Sequence, residues 1–379
     1  MRILLLSDIH IGSIKDTIYV YNVITDIIEK ELIFTKTDLV VILGDYFDKL
    51  FKTNEVFTNL AINVMSYLVR ACIKNNTKIR IIYGTESHEM NQYGLFNFHL
   101  TSDDVDIKIF DTVTEEETLP GTKILYIPEE HIYDKYEYYS KYLYNDKHYN
   151  YIFGHGIVED GLPKNMALNI SISKSNEKQV PRFKSGEFSS ISDITVFGHY
   201  HCYTNISDNV YYLGSLFRDS FGEEIPKGYG IIEDNKFNFI ENKEAYVYNT
   251  YYFDESSEIY KSPNNIVKEI KKIKEKNADI FENKKKGKIR LSFKLPDDIS
   301  ETFKETLRSI LFNDKLISID ITEKNVDDTV TDDEEDELEF VLDNSLSIID
   351  KIFQYIGKGN YQMSLGALTS YINDPLKIT

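Results

Sequence analysis

Leu39-Val40-Val41-Ile42-Leu43-Gly44-Asp45-Tyr46-Phe47-Asp48 is an unbroken apolar run that ends in a glycine and two carboxylates. Five apolar residues bounded by glycine predict a buried strand, and the glycine lets the backbone turn sharply where the strand stops. The same arrangement recurs on either side. Residues 2–6 run into Ser7-Asp8-Ile9-His10, and 79–83 into Gly84-Thr85-Glu86-Ser87-His88-Glu89. Residues 151–153 run into Gly154-His155-Gly156, and 194–197 into Gly198-His199-Tyr200-His201. Between the first runs lie amphipathic stretches with Ile24, Ile27, Ile28 and Leu32, then Val56, Leu60, Val64, Leu68 and Cys72, at helical spacing. Strand and helix alternate, so the first 235 residues predict a layered α/β domain, with further strands at 107–110, 123–127, 210–213 and 228–232.

In open α/β sheets the carboxyl ends of strands frame the ligand crevice. Five strand ends therefore bring a carboxylate or an imidazole to one edge. Five of the eight histidines fall there, whereas His99, His131 and His148 read as ordinary surface or core residues. Asp8 and His10, like His199 and His201, are two residues apart, the spacing that puts both side chains on one side of an extended segment.

The whole composition fits this picture. The chain has 379 residues, 42% hydrophobic and 13% aromatic, which suits two to three packed domains and excludes fibrous and disordered classes. No stretch is expected to reach the roughly 18 to 20 apolar residues of a membrane span, and the amino terminus lacks a signal-peptide pattern, so a cytoplasmic protein without a membrane partner is expected. Cys72 and Cys202 lack CxxC spacing and are expected to be reduced core thiols. The net charge of -19 argues against gripping nucleic acid with the whole surface; any such contact needs a local basic patch or a partner. Only 7 of the 43 basic residues are Arg, so phosphate contacts would lean on Lys. The richness in Lys, Ile, Asn and Tyr points to an AT-rich genome, that of a low-GC bacterium or of one of its viruses.

Imidazoles and carboxylates without Cys suit a first-row divalent metal such as Mn²⁺, Fe²⁺ or Zn²⁺. Asp8, His10, Asp45, His155, His199 and His201 exceed the ligands one tetrahedral ion can use, so two ions with one bridging carboxylate are expected, and with them phosphoester hydrolysis. His88 lies among the ligands and also resembles a general acid. Asp48 would either fix its tautomer or cap the helix that follows.

The order Asp-x-His, Gly-Asp-x-x-Asp, a Gly-to-His-Glu loop, Gly-His and Gly-His-x-His resembles the calcineurin-like metallophosphoesterase superfamily. Within it the chain is similar to the SbcD-type nuclease subunit of DNA double-strand-break processing, in its virus-encoded recombination endonuclease form. The likeness covers about residues 1–235 and includes Gly214 to Glu223 with Lys227-Gly228-Tyr229. It implies a two-sheet α/β/β/α sandwich with a smaller α+β capping domain and a C-terminal helical segment. One ion would be held by Asp8, His10, Asp45 and His201, the other by Asp45, His155, His199 and the residue before His88, with Mn²⁺ the expected metal. That last position is Ser87, where the superfamily usually has Asn, so the second ion is expected to be weakly held or completed by water. The likeness also implies DNA as substrate, an SbcC-type coiled-coil ATPase as partner, and a homodimer within that complex.

The expected organisation is a nuclease domain over 1–245, an α+β capping domain over 246–326, an acidic linker over 327–344 and a helical docking segment over 345–379. The capping domain should contain strands at 246–253, 289–295 and 316–321 and helices at 264–276 and 299–312. Residues 261–290 hold 11 Lys or Arg against 4 acidic residues. Lys284, Lys285 and Lys286 read either as a solvated face or as a DNA-tracking surface. Eight Tyr in residues 133–151 carry no assigned role. The leading expectation is a Mn²⁺-dependent DNA exonuclease and endonuclease. Its rivals are a phosphoesterase for a nucleotide or phosphoprotein and a non-catalytic scaffold with a degenerate site.

Overall fold

The apolar runs become strands whose side chains alternate between two cores. In this computed structural model, which describes residues 1–53, 55–163, 178–221, 223, 225–294 and 316–322, the first sheet is built from β1 (Arg2–Leu6), β2 (Leu39–Leu43), β3 (Lys78–Ile82) and β4 (Ile107–Phe110). These four strands are parallel in sequence order. Helix α1 (Thr17–Ile28) links the first two strands and α2 (Val56–Asn75) the next two. Asp16 caps α1 by accepting from the Tyr19 amide at 3.0 Å, and Asn76 ends α2 in the left-handed conformation. The second sheet contains β5 (Thr114–Leu119), β6 (Thr122–Ile127), β7 (Tyr149–His155), β10 (Ser192–Gly198), β11 (Thr204–Ser207) and β12 (Val210–Tyr212), in the order β11-β12-β10-β7-β6-β5. A small pair, β8 (Ile157–Val158) and β9 (Arg182–Phe183), stands apart.

The chain then returns to the first sheet through β13 (Gly228–Glu233), antiparallel to β1, and β14 (Lys236–Glu241) beside it. Period-two alternation explains the burial. Leu4, Leu6, Val40, Ile42, Ile79 and Ile81 face α1 and α2, while Ile3, Leu5, Leu39, Val41, Leu43 and Ile82 share a second core with Ile124, Tyr126, Tyr151, Phe153, Ile194 and Val196 of the other sheet. Each such side chain removed from water contributes about 1.5–3 kcal/mol. The fold is mixed α/β.

A third sheet of parallel strands, β15 (Val247–Phe253), β16 (Gly287–Lys294) and β17 (Ile317–Thr322), has its own apolar core with Ile266, Ile270 and Ile273 of the helix Pro263–Lys276. By its contacts the chain divides into Met1–Lys324, which includes this sheet, and Asn325–Thr379. The expected helix at 299–312, the acidic linker 327–344 and the docking segment 345–379 lie outside the described residues.

Two expectations are corrected. Helix α2 is 20 residues long and, by length and composition alone, apolar enough to cross a membrane. Leu60, Ala61, Val64, Met65, Leu68, Val69 and Cys72 of that helix are nevertheless buried in the first core. Cys202 is half-buried beside the site, so only Cys72 is a core thiol.

Candidate metal centre

Strand register brings the loop residues together. Glycine 198 pairs with His155 across β10 and β7, and an isolated bridge joins Ile11 to Phe47 beyond β1 and β2. The Asp8 amide donates to the Gly44 carbonyl at 3.3 Å and the His10 amide to the Asp45 carbonyl at 3.0 Å, so the first two loops are laced side by side. Side chains at two glycines would break this arrangement. A Cβ on Gly44, whose φ is 84°, would collide with the His155 ring, and one on Gly84 with the amide and carboxylate of Asp45.

Asp8, His10, Asp45 and His199 all have positive φ, of 46°, 45°, 48° and 93°. Such backbone costs about 1–3 kcal/mol per residue and persists where surrounding structure enforces it, as at functional sites.

Four overlapping groups of potential ligand atoms form, each within 4.8 Å: Asp8, His10 and His201; His10, Asp45 and His88; Asp8, Asp45 and His155; and Glu129, His155 and His199. Asp45 stands between the two ends. Its Oδ2 lies 3.7 Å from His10 Nε2 and 3.4 Å from His155 Nε2. The His10 and His201 Nε2 atoms face each other at 3.0 Å, aimed at one point where they can share a proton or a cation. His155 Nδ1 lies 2.7 Å from the Leu43 carbonyl, which can only accept, so Nδ1 carries hydrogen and Nε2 is the atom presented to Asp45. The donor set of imidazoles and carboxylates fits a pair of divalent first-row ions sharing Asp45.

Electrostatics follow from this crowding. Burial pushes His10 down to about 4, against the opposing pull of Asp45. Burial would also depress His155, but the Asp45 carboxylate outweighs it and lifts the imidazole to about 10. Burial raises Glu129 while His199 and His155 more than reverse it, leaving the carboxyl below its ordinary value. Desolvation raises Asp48. Beneath Asp45, the fully buried Glu89 is pushed up to about 8, by desolvation first and by the Asp45 charge second.

The structure places the remaining expected residues differently. His88 Nδ1 lies 2.6 Å from the backbone carbonyl of Asp48, so it is this carbonyl that fixes the tautomer, while the Asp48 carboxylate sits 3.8 Å from His10 Nδ1. Ser87 is exposed on the short helix α3 (Glu86–Glu89) and lines an open cleft of about 610 Å³ with Thr85, Glu86, Met90, Asn91, Glu129 and His131. The hydroxyl that reaches the centre belongs to Thr85, 3.4 Å from both Asp45 Oδ2 and His155 Nε2. Lys284 and Lys286 pair with Glu282 and Asp16, at 2.6 and 3.6 Å, and Lys285 lines a polar recess with Arg218 and Glu241.

Sequence reading missed three groups. Thr85 was hidden by the two residues that separate it from His88. Glu129 follows β6 and Pro128, with no glycine to mark the turn. Glu223 lies 3.5 Å from His201 Nδ1 and accepts from the buried Lys227 ammonium at 2.9 Å; its distance in sequence from any strand end concealed it.

Comparison with family models and with curated proteins finds no match. Among solved structures 37 chains match. One crystal structure shares 11% identity over 64% of this chain and 99% of that chain, at a TM-score of 0.36, too low for an argument about fold or function.

Proposed function

We propose that the chain is a two-metal phosphodiesterase of the calcineurin-like type, in which the two six-stranded sheets form the family's α/β/β/α sandwich. One observation carries the reading: a single carboxylate, Asp45, lies between two clusters of ligand-type side chains, with His88 beside it. Two divalent ions, Mn²⁺ by preference, would be held by Asp8, His10, Asp45 and His201 on one side and by Asp45, His155 and His199 on the other. Ions so held supply a nucleophile at neutral pH and neutralise phosphoryl charge. The chain's own residues do the rest. The Asp48 carbonyl holds the proton on His88 Nδ1 and leaves Nε2 as the atom that would pass a proton to the leaving oxygen.

DNA is the proposed substrate, with the chain acting in recombination and repair as the nuclease subunit of an ATPase-linked complex in a bacterial cytoplasm. The Lys and Arg excess over 261–290, in a chain of net charge -19, supports DNA over a smaller phosphoester. The test uses labelled linear, circular and single-stranded DNA beside a chromogenic phosphodiester, with Mn²⁺ and with chelator. Metal-dependent cleavage of DNA is expected. Turnover of the small ester alone would favour the smaller substrate, and turnover of neither would leave a scaffold.

A further inference from the structure

The Glu129 carboxylate is buried, only 4% exposed, and faces three donor atoms from three elements. Its Oε2 lies 3.1 Å from His199 Nδ1, 3.4 Å from the Thr85 hydroxyl and 3.9 Å from His155 Nε2. The Glu129 amide donates to the Tyr83 carbonyl at 3.1 Å, so the end of β6 is tied to the end of β3 and the carboxylate is held on the centre. Among the described residues its ion-pair partners are imidazoles, with no Lys or Arg. A buried carboxylate without a permanent cation is a group that pairs or coordinates metal.

We infer that Glu129 is a direct ligand of the second ion, completing with Asp45, His155 and His199 a shell that Thr85 only borders. This rests on the two-metal reading and deepens it. Three carboxylates, Asp8, Asp45 and Glu129, then face two divalent ions. The second ion is held by a charged, hard oxygen in place of a neutral hydroxyl, so it is tightly bound and favours Mn²⁺ over softer ions. The expectation from Ser87 of a weak second ion is thereby reversed.

The experiment titrates Mn²⁺ into chelator-stripped full-length protein by calorimetry, with paramagnetic resonance counting coupled ions. Wild type should bind two. Glu129→Gln and Glu129→Ala should keep the first ion at wild-type affinity and weaken the second at least tenfold. Adding Thr85→Asn to Glu129→Ala should recover part of that loss, because the amide oxygen reaches one atom further toward the centre. Anomalous scattering from Mn²⁺-soaked wild-type crystals needs no variant, and should show a Glu129 oxygen at coordination distance from the second ion. Two ions bound as in wild type by both Glu129 variants, or a second ion with Glu129 turned away, would overturn the inference and leave the two-metal reading intact. A wild-type protein that binds no Mn²⁺ would overturn both.

Discussion

The two ends of the centre are built differently. At one end Asp8, His10 and His201 come from Asp-x-His and His-x-His segments, and His201 is a third exposed. At the other, His155 and Glu129 are almost wholly buried while His199 is as exposed as His201, and the Glu129 carboxylate arrives from a strand end that has no glycine. Each end therefore presents one imidazole to solvent, and His88 stands with His10 and Asp45 at the first. The difference shows that a ligand after a strand end is read easily where a glycine or an Asp-x-His pattern follows the strand; Pro128 precedes Glu129 and supplies neither mark.

The same physics sets how much else could be read. Twelve strands were legible from apolar or alternating runs, and the structure moves their ends by no more than two residues. Strand β5, Thr-Glu-Glu-Glu-Thr-Leu, was not, because its glutamates look like loop residues. In the fold they are paired: Glu116 with the buried Arg80 and with Lys108, and Glu115 with Lys123 and Lys147. Strands β11 and β14 are half-exposed hairpin partners with weak alternation. Six expected ligands meet at one centre, because strand ends on one edge converge whatever their separation in sequence. Ser87 and the Asp48 carboxylate were misplaced because spacing does not reveal that residues 86–89 coil into a helical turn, nor that a backbone carbonyl outcompetes its own side chain for His88.

The largest test removes the group that both ends share. Asp45→Asn should reduce metal-dependent phosphodiester hydrolysis to background and abolish the coupled signal of two ions. Retention of two coupled ions would show that the ends are bridged by something else.

His88→Ala should lower turnover about 10²–10⁴-fold while calorimetry still finds both ions, because a proton donor is not a ligand. His88 also lies within ligand reach of His10 and Asp45. Loss of an ion from the Asp8, His10 and His201 end would move it from proton donor to ligand and erase the distinction.

Glu223→Gln should affect the Asp8, His10 and His201 end alone. Glu223 neutralises the buried Lys227 and faces His201 Nδ1, so its charge orients that imidazole. Loss of such an outer partner typically costs about 10- to 100-fold in metal affinity, and the fall should appear at the ion held by Asp8, His10 and His201. Equal weakening of both ions would mean that the ends are not independent.

The smallest expected effect lies under the bridge, at Glu89. Its Oε1 accepts from the Tyr46 amide at 3.2 Å and the Tyr93 hydroxyl at 2.9 Å, while Oε2 is buried without a partner. Its pKa rises from 4.5 in the unfolded chain to about 8 in the folded one. Between these values the native state holds a proton that the unfolded state has lost, so stability falls as pH rises across the window and is flat on either side. Glu89→Gln keeps the shape and carries no ionisation. Denaturant melts with chelator present, from pH 4 to pH 9, should therefore show the variant gaining on wild type as pH climbs from about 4.5 to about 8, with little change beyond. The Asp45 charge is the second cause of the shift, so in an Asp45→Asn background the same comparison should give a shallower slope. Parallel profiles for wild type and Glu89→Gln would mean that Glu89 is ionised in the native protein. Asp45 would then stand over a negative charge, and cations at the two ends of the centre would offset both.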